Sequence, residues 1–451
     1  MTSRVSCDEC SRADVLRAVA GRGLPSIEPG MPTPAGTGLT RRGFVARSLG
    51  LALTVYGAGR LGVFDEGIAA AAATPQRPIL VTVFLQGGAD SLSLLYPDRD
   101  PLYRSLRPSL AVSGGTPFAE DDRLFWHPSL SPLAQLHGEG KVTVLPAVGY
   151  DHPDQSHFTS RHFWEVGATD SRLLTGWLGR YLDAAGSGDN PLQGLSMTGS
   201  LQPMLATAKV PVAAIDGPDQ YDFWAPGVWG EVEQRMLDAI GHFGSSGGTD
   251  PSLRAAANVA VQSSTLRRQL LPFGGDKLVP PVPYPSGDDQ LPKRLAGLAA
   301  MIGAGLPLRC VALEATGEYD THADQVSALK PALDTTAASL YAFQRDLEAR
   351  GVADRVLTLV WSEFGRRAKE NGSGGTDHGA AGTAFLVGTR ASGTQVGEFP
   401  GLAKGLDDDG NLRATSDFRG VYAALLEQWL GFDAARVLPA ASKFARPALV
   451  K

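Results

Sequence analysis

Pro78-Ile79-Leu80-Val81-Thr82-Val83-Phe84-Leu85, closed by Gln86-Gly87-Gly88-Ala89-Asp90, is an apolar, β-rich run that has no helical period and stops at a glycine pair. Such a run reads as a strand buried on both faces that opens into a loop. Comparable runs recur at Lys141 to Ala147, Cys310 to Leu313 and Arg355 to Trp361. Segments of helical character separate them. The clearest runs from Ala332 to Arg350, with Leu333, Leu340, Phe343 and Leu347 as its apolar positions and Gly351 as its stop. Strands alternating with helices predict an α/β fold, a parallel-rich sheet sandwiched between helices. In such sheets the loops that follow the strands converge on one edge, and that is where this chain puts its unusual residues.

The rest of the chain divides around this core. Thr40-Arg41-Arg42-Gly43-Phe44-Val45, an apolar run from Leu49 to Tyr56 and the small residues Ala69 to Ala73 follow one another in the order of a twin-arginine export signal. Residues 1–73 are therefore expected to be removed, leaving a domain of 74–451, roughly 375 residues long, in the periplasm or outside the cell. Between residues 186 and 292 the pattern blurs into glycine, serine and proline, which reads as an inserted cap. The net charge of −6, with Lys and Arg scattered, gives no basic face for nucleic acid. Nothing past residue 74 is apolar for long enough to span a bilayer. Of the cysteines, Cys7 and Cys10 lie in the signal region and have no second pair to complete a metal site. Cys310, inside a strand-like run, reads as a small buried hydrophobe.

Four loops carry candidate chemistry. The first is Gln86 to Asp90. The second, Asp151-His152-Pro153-Asp154-Gln155-Ser156-His157-Phe158, leads into a helix; Ser156 at its start either caps it or, near the positive end of the dipole, serves as a nucleophile or anion contact. In the third, Asp320 and His322 alternate along an extended segment and either share a cation or form a surface couple. The fourth brings Ser362-Glu363-Phe364-Gly365-Arg366-Arg367 and then Gly374-Gly375-Thr376-Asp377-His378-Gly379, with glycines that suggest a backbone bent to present Asp377 and His378. Together His157, His322 and His378 beside Asp90, Asp320, Glu363 and Asp377 are enough nitrogen and oxygen for a metal site.

Six motifs, GGADSLS, QSHF with WEVG, GWLGRYLD, DTHADQ, WSEFGRR and GGTDHGAAG, occur together in the order of the bacterial family called domain of unknown function 1501, which the chain resembles over nearly all of residues 74 to 435. The resemblance implies an alkaline phosphatase-like fold with a metal site at the carboxyl edge of the sheet. It places Ser156 like that superfamily's nucleophile, Asp320 and His322 like the Asp and His of one metal site, and His378 like the late histidine completing it. Two departures stand out: Gln86 occupies the register of a ligand aspartate, and Glu363-Phe364 replaces an Asp-His pair, so a second metal would lack its ligands.

The expectation that follows is an exported hydrolase of phosphate or sulfate esters, acting on a small molecule or glycan. In it Asp320, His322, Glu363, Asp377 and His378 are the metal-ligand candidates, Ser156 and His157 act on the substrate, and Arg366 steadies the anion. Zinc or manganese is the expected divalent ion. The alternative is a non-catalytic binding or assembly protein on the same fold. The folded export route also admits a protein partner carried alongside.

Overall fold

The computed structural model describes residues 55–56, 77–188, 190–218 and 278–451, with scattered positions between 231 and 273. The arginine pair, Cys7, Cys10, the alanine run and the middle of the expected cap lie outside the described residues.

Among the described residues the centre is a nine-stranded sheet. In chain order its strands are β1 (Val55–Tyr56), β2 (Ile79–Phe84), β3 (Val142–Gly149), β4 (Gly194–Met197), β5 (Val212–Ile215), β6 (Cys310–Glu314), β7 (Val356–Trp361), β8 (Gly382–Val387) and β9 (Ser416–Asp417). They lie side by side as β1-β5-β4-β6-β2-β7-β8-β3-β9. All but β1 and β8 run the same way. The fold is therefore mixed α/β with a parallel-rich sheet, as the opening run predicts.

Alternation along β2 shows why the sheet is buried twice. Ile79, Val81 and Val83 join one apolar cluster, whereas Leu80 and Phe84 join the other. The first face is covered by α1 (Ser131–Gly138), α4 (Gln290–Gly303) and α5 (Gln325–Ala349), through residues such as Leu136, Leu298, Leu340 and Phe343. Covering the second are α2 (His157–Val166), α3 (Trp177–Ala185) and α6 (Phe418–Ala424), through Trp164, Trp177, Tyr181 and Tyr422. Each such side chain contributes about 1.5–3 kcal/mol relative to exposure, which is what holds two helix layers onto one sheet.

Two details differ from the sequence reading. Helix α5 begins at Gln325 and keeps Pro331 inside it, so it starts a full two turns before the expected Ala332. The stretch from residue 186 onward does not leave the core at once: β4 and β5 lie within it and extend the sheet, their small residues Gly194, Ala213 and Ala214 fully covered. Small side chains give a weak strand signal, which is why the composition there resembles a loop.

The register then sets the site. Phe84 is level with both Trp361 and Glu314, so the loops after β2, β6 and β7 start at one height. Gly382, the first residue of the reversed strand β8, is level with Val148 near the end of β3. A residue just before β8 is thereby brought to the same edge as residues just after β2, β3, β6 and β7.

Candidate metal centre

Four donors meet at that edge. His157 opens α2, Asp320 and His322 stand on the loop after β6, and His378 ends a short hairpin, Arg366–Glu370 with Thr376–His378, that precedes β8. The hairpin can press against the Asp320 loop because Gly375 has no side chain: a Cβ there would come within 2.3 Å of the His322 carbonyl carbon. His157 Nε2 and His322 Nε2 each lie 2.9 Å from His378 Nε2. Asp320 Oδ1 is 3.2 Å from His322 Nε2 and 3.6 Å from His378 Nε2, and Oδ2 is 3.6 Å from His157 Nε2. The ligand atoms of His157, Asp320 and His378 all fall within 4.8 Å of one another.

Each donor is backed by a partner that turns it inward. His157 Nδ1 donates to Glu363 Oε1 over 2.8 Å, and His378 Nδ1 donates to the Gln155 carbonyl over 2.8 Å. His322 Nδ1 lies 3.7 Å from Asp377 Oδ1, and Asp320 is gripped by Arg366. His157 and His378, each held at Nδ1, bring their Nε2 atoms face to face at 2.9 Å, with an Asp320 carboxylate oxygen 3.6 Å from each. A single proton or a single cation among these atoms satisfies the facing nitrogens. Three imidazole nitrogens and one carboxylate fit a divalent transition ion, with outer partners that fix ring orientation and tautomer.

The electrostatics agree with this inward aim. Burial works against a charged Asp320, yet the hydrogen bonds from His157, His322 and His378 and the charge of Arg366 hold its carboxyl below the usual value. Burial likewise opposes charge on Glu363, but His157 and the backbone N–H of Gly88 bring it down to about 2. For His378, burial is the largest influence and lowers its pKa, favouring the neutral ring that a metal needs.

Several residues named from the sequence take other places. Glu363 stands behind His157: its Oε1 accepts both His157 Nδ1–H and Gly87 N–H, at 2.8 and 3.0 Å, and its Oε2 accepts Gly88 N–H at 3.1 Å and Ser362 Oγ–H at 3.0 Å. Asp377 is exposed and stands behind His322. Asp90 belongs to a buried ion pair with Arg107, away from the donors. Arg366 is fully buried, with Nε on the Gly88 carbonyl at 2.8 Å, Nη1 on the Thr376 carbonyl at 2.9 Å and Nη2 on Asp320, so it braces loops and holds a donor. Spacing alone does not separate a carboxylate at the cluster from one behind it.

Ser156 is the N-cap of α2 by position, with an extended backbone, but its side chain makes no cap hydrogen bond. It sits between Gln155, whose carbonyl holds His378, and His157. Phe364 packs its ring 4.8 Å from that of His157 and 4.9 Å from that of His378, an apolar wall beside both rings. Gln155 and Tyr150, both active in shaping the loop, escape sequence reading because one acts through its backbone and the other through a buried hydroxyl.

The family described as Protein of unknown function (DUF1501) matches residues 294–437, a span that contains Asp320, His322 and His378. No curated protein matches the sequence. Solved structures similar to the chain include the lipoteichoic acid synthase LtaP from Listeria monocytogenes, 7% identical over 81% of this chain and 75% of that one, with a TM-score of 0.33. A protein in the alkaline phosphatase superfamily from Vibrio parahaemolyticus is 9% identical over 98% of this chain and 78% of that one, with a TM-score of 0.33. The PsFucS1 sulfatase from Pseudoalteromonas sp. is 12% identical over 81% and 70%, again with a TM-score of 0.33. Among the described residues no helix is long and apolar enough to cross a membrane.

Proposed function

We propose that the chain binds one divalent transition-metal ion through His157, Asp320, His322 and His378 and hydrolyses phosphate or sulfate esters of a small molecule or glycan at that centre. The observation that carries this reading is the convergence of ligand atoms of His157, Asp320 and His378 within 4.8 Å of one another, with both histidines backed at Nδ1. An ion held there supplies Lewis acidity toward an ester oxygen. The nitrogen-rich set suits zinc, manganese or iron better than calcium, which prefers oxygen.

In this reading the chain's own groups divide the work. Ser156 is the attacking group, its hydroxyl not spent on capping and flanked on both sides by residues that touch the cluster. Glu363 and the Gln155 carbonyl keep His157 and His378 in the ligating tautomer, and Arg366 orients Asp320. Phe364 keeps water from one flank of the histidines. The same reading has the chain exported through the twin-arginine route to the periplasm or beyond, with residues 1–73 removed, the edge strand β1 among them, and a partner protein able to travel with it.

Elemental analysis of protein purified without chelator tests the proposal. One ion per chain, lost in His378→Ala, is the expected result; a metal-free unmutated protein sinks it. A specific observation favours a second reading, a binding role without turnover: all three guanidinium nitrogens of Arg366 are engaged inside the protein and leave a substrate anion without that clamp. Metal-loaded protein that leaves aryl phosphates and aryl sulfates intact would support that reading over hydrolysis.

A further inference from the structure

The segment between β3 and α2 has no regular structure, yet it must hold the Gln155 carbonyl 2.8 Å from His378 Nδ1. One side chain anchors it. Tyr150 follows directly on β3, with its ring buried edge-on against Phe163 and Phe418 at 5.8 Å each. A ring clamped from both sides gives its hydroxyl a fixed aim. That hydroxyl accepts Asp154 N–H at 3.0 Å and shares a 2.8 Å hydrogen bond with Ser160 Oγ. Ser160 Oγ in turn donates to the Asp154 carbonyl. Both backbone groups of Asp154 are therefore tied, and its carboxylate accepts Ser156 N–H at 2.8 Å. Gln155 is left suspended between two anchored residues, its carbonyl pointing at His378.

We infer that Tyr150 is a positioning residue for the metal centre: through Asp154 its hydroxyl sets the Gln155 carbonyl, which keeps the His378 proton on Nδ1 and turns Nε2 toward the other donors. The role in metal binding rests on the reading above, whereas the hold on His378 is a property of the metal-free chain. Two hydroxyls, those of Tyr150 and Ser160, act as one pin. Neither touches a donor atom of the cluster in the hydrogen bonds described, so their effect on the centre passes through backbone placement.

The test compares Tyr150→Phe and Ser160→Ala with the unmutated protein and with Tyr103→Phe. Tyr103 is a control of the same kind, a buried hydroxyl that accepts Val112 N–H at 3.0 Å and has no hydrogen bond described to the segment between β3 and α2. Two quantities are measured: the ring nitrogen-15 shifts of His378 in metal-free protein, and zinc affinity by competition with a chromogenic chelator. In the unmutated protein and in Tyr103→Phe, His378 is expected to give one protonated and one bare nitrogen. In Tyr150→Phe the two shifts move toward each other and zinc binds about 10–100-fold more weakly, with Ser160→Ala shifted in the same direction. Unchanged His378 shifts in a folded Tyr150→Phe protein would overturn the inference, as would wild-type zinc affinity in it. Should Tyr150→Phe fail to fold, Ser160→Ala decides by the same criteria. If the unmutated protein takes no zinc, the metal reading fails and the nitrogen shifts alone decide whether the pin exists.

Discussion

Nδ1 of His157 and Oε1 of Glu363 are 2.8 Å apart, although one residue opens a helix after β3 and the other follows β7, two strands away across the sheet. Glu363 accepts from backbone N–H groups and Ser362 as well, so its carboxylate is fixed before His157 arrives. Glu363→Gln keeps the size of the side chain but offers an amide that can no longer serve as a charged acceptor. Zinc affinity is expected to fall about 10–100-fold in this variant while the fold persists. Chelator competition beside a thermal melt checks it, and wild-type affinity would show that Glu363 does not govern His157.

A prediction about the backbone concerns Gly88, which has φ +71° and where a Cβ would come within 2.2 Å of the Phe364 ring. Its N–H also donates to Glu363. Gly88→Ala should cost about 1–3 kcal/mol of stability through left-handed strain and overpacking, and should weaken metal binding by moving Glu363. Urea denaturation and chelator competition on the same variant test both parts. Loss of stability with unaltered metal affinity would separate Gly88 from the centre.

Asp90 and Arg107 form a completely buried ion pair, with Ser93 and Gln325 also donating to the carboxylate. Removing one charge leaves the other uncompensated, so Asp90→Asn should destabilise the protein by about 3–5 kcal/mol. Burial raises the Asp90 pKa, but Arg107 and the hydrogen bonds outweigh it and leave the carboxyl below the usual aspartate value. A depressed carboxyl adds stability that is complete above the unfolded value and is lost as pH falls through the folded one. Urea denaturation from about pH 5 to pH 2 should therefore show a steep acid loss in the unmutated protein and a shallower one in Asp90→Asn. Matching slopes would rule out Asp90 as a source of the acid sensitivity.

Cys310 lies in β6 with no exposure, and burial pushes its thiol up to about 12. In a chain with Cys7 and Cys10 replaced by serine, it should resist thiol-reactive dye at neutral pH and react fully once unfolded. Rapid labelling of the native protein would contradict that placement.

Much of this arrangement is legible in the chain. The apolar runs ending at Phe84 and Trp361 mark central strands because continuous burial needs continuous hydrophobicity, and His157, Asp320, His322 and His378 all follow or precede such runs by a few residues. What stays hidden depends on direction and depth. Glu363 and Asp320 are both carboxylates after a strand, and only the packing of Gly87 and Gly88 beneath Glu363 decides which one faces the centre. Arg366 looks like an anion clamp in sequence, whereas loop carbonyls claim it in the fold. The small residues of β4 and β5 hide two strands, because burial beneath helices leaves room for Gly194 and Ala213 but gives no alternating pattern to read.

The reversed strand β8 also ties the site to the finished sheet. It lies between β7 and β3, and His378 meets His157 from the chain just ahead of it. An ion bound as proposed would therefore be a chemical record that this central strand has found both of its neighbours.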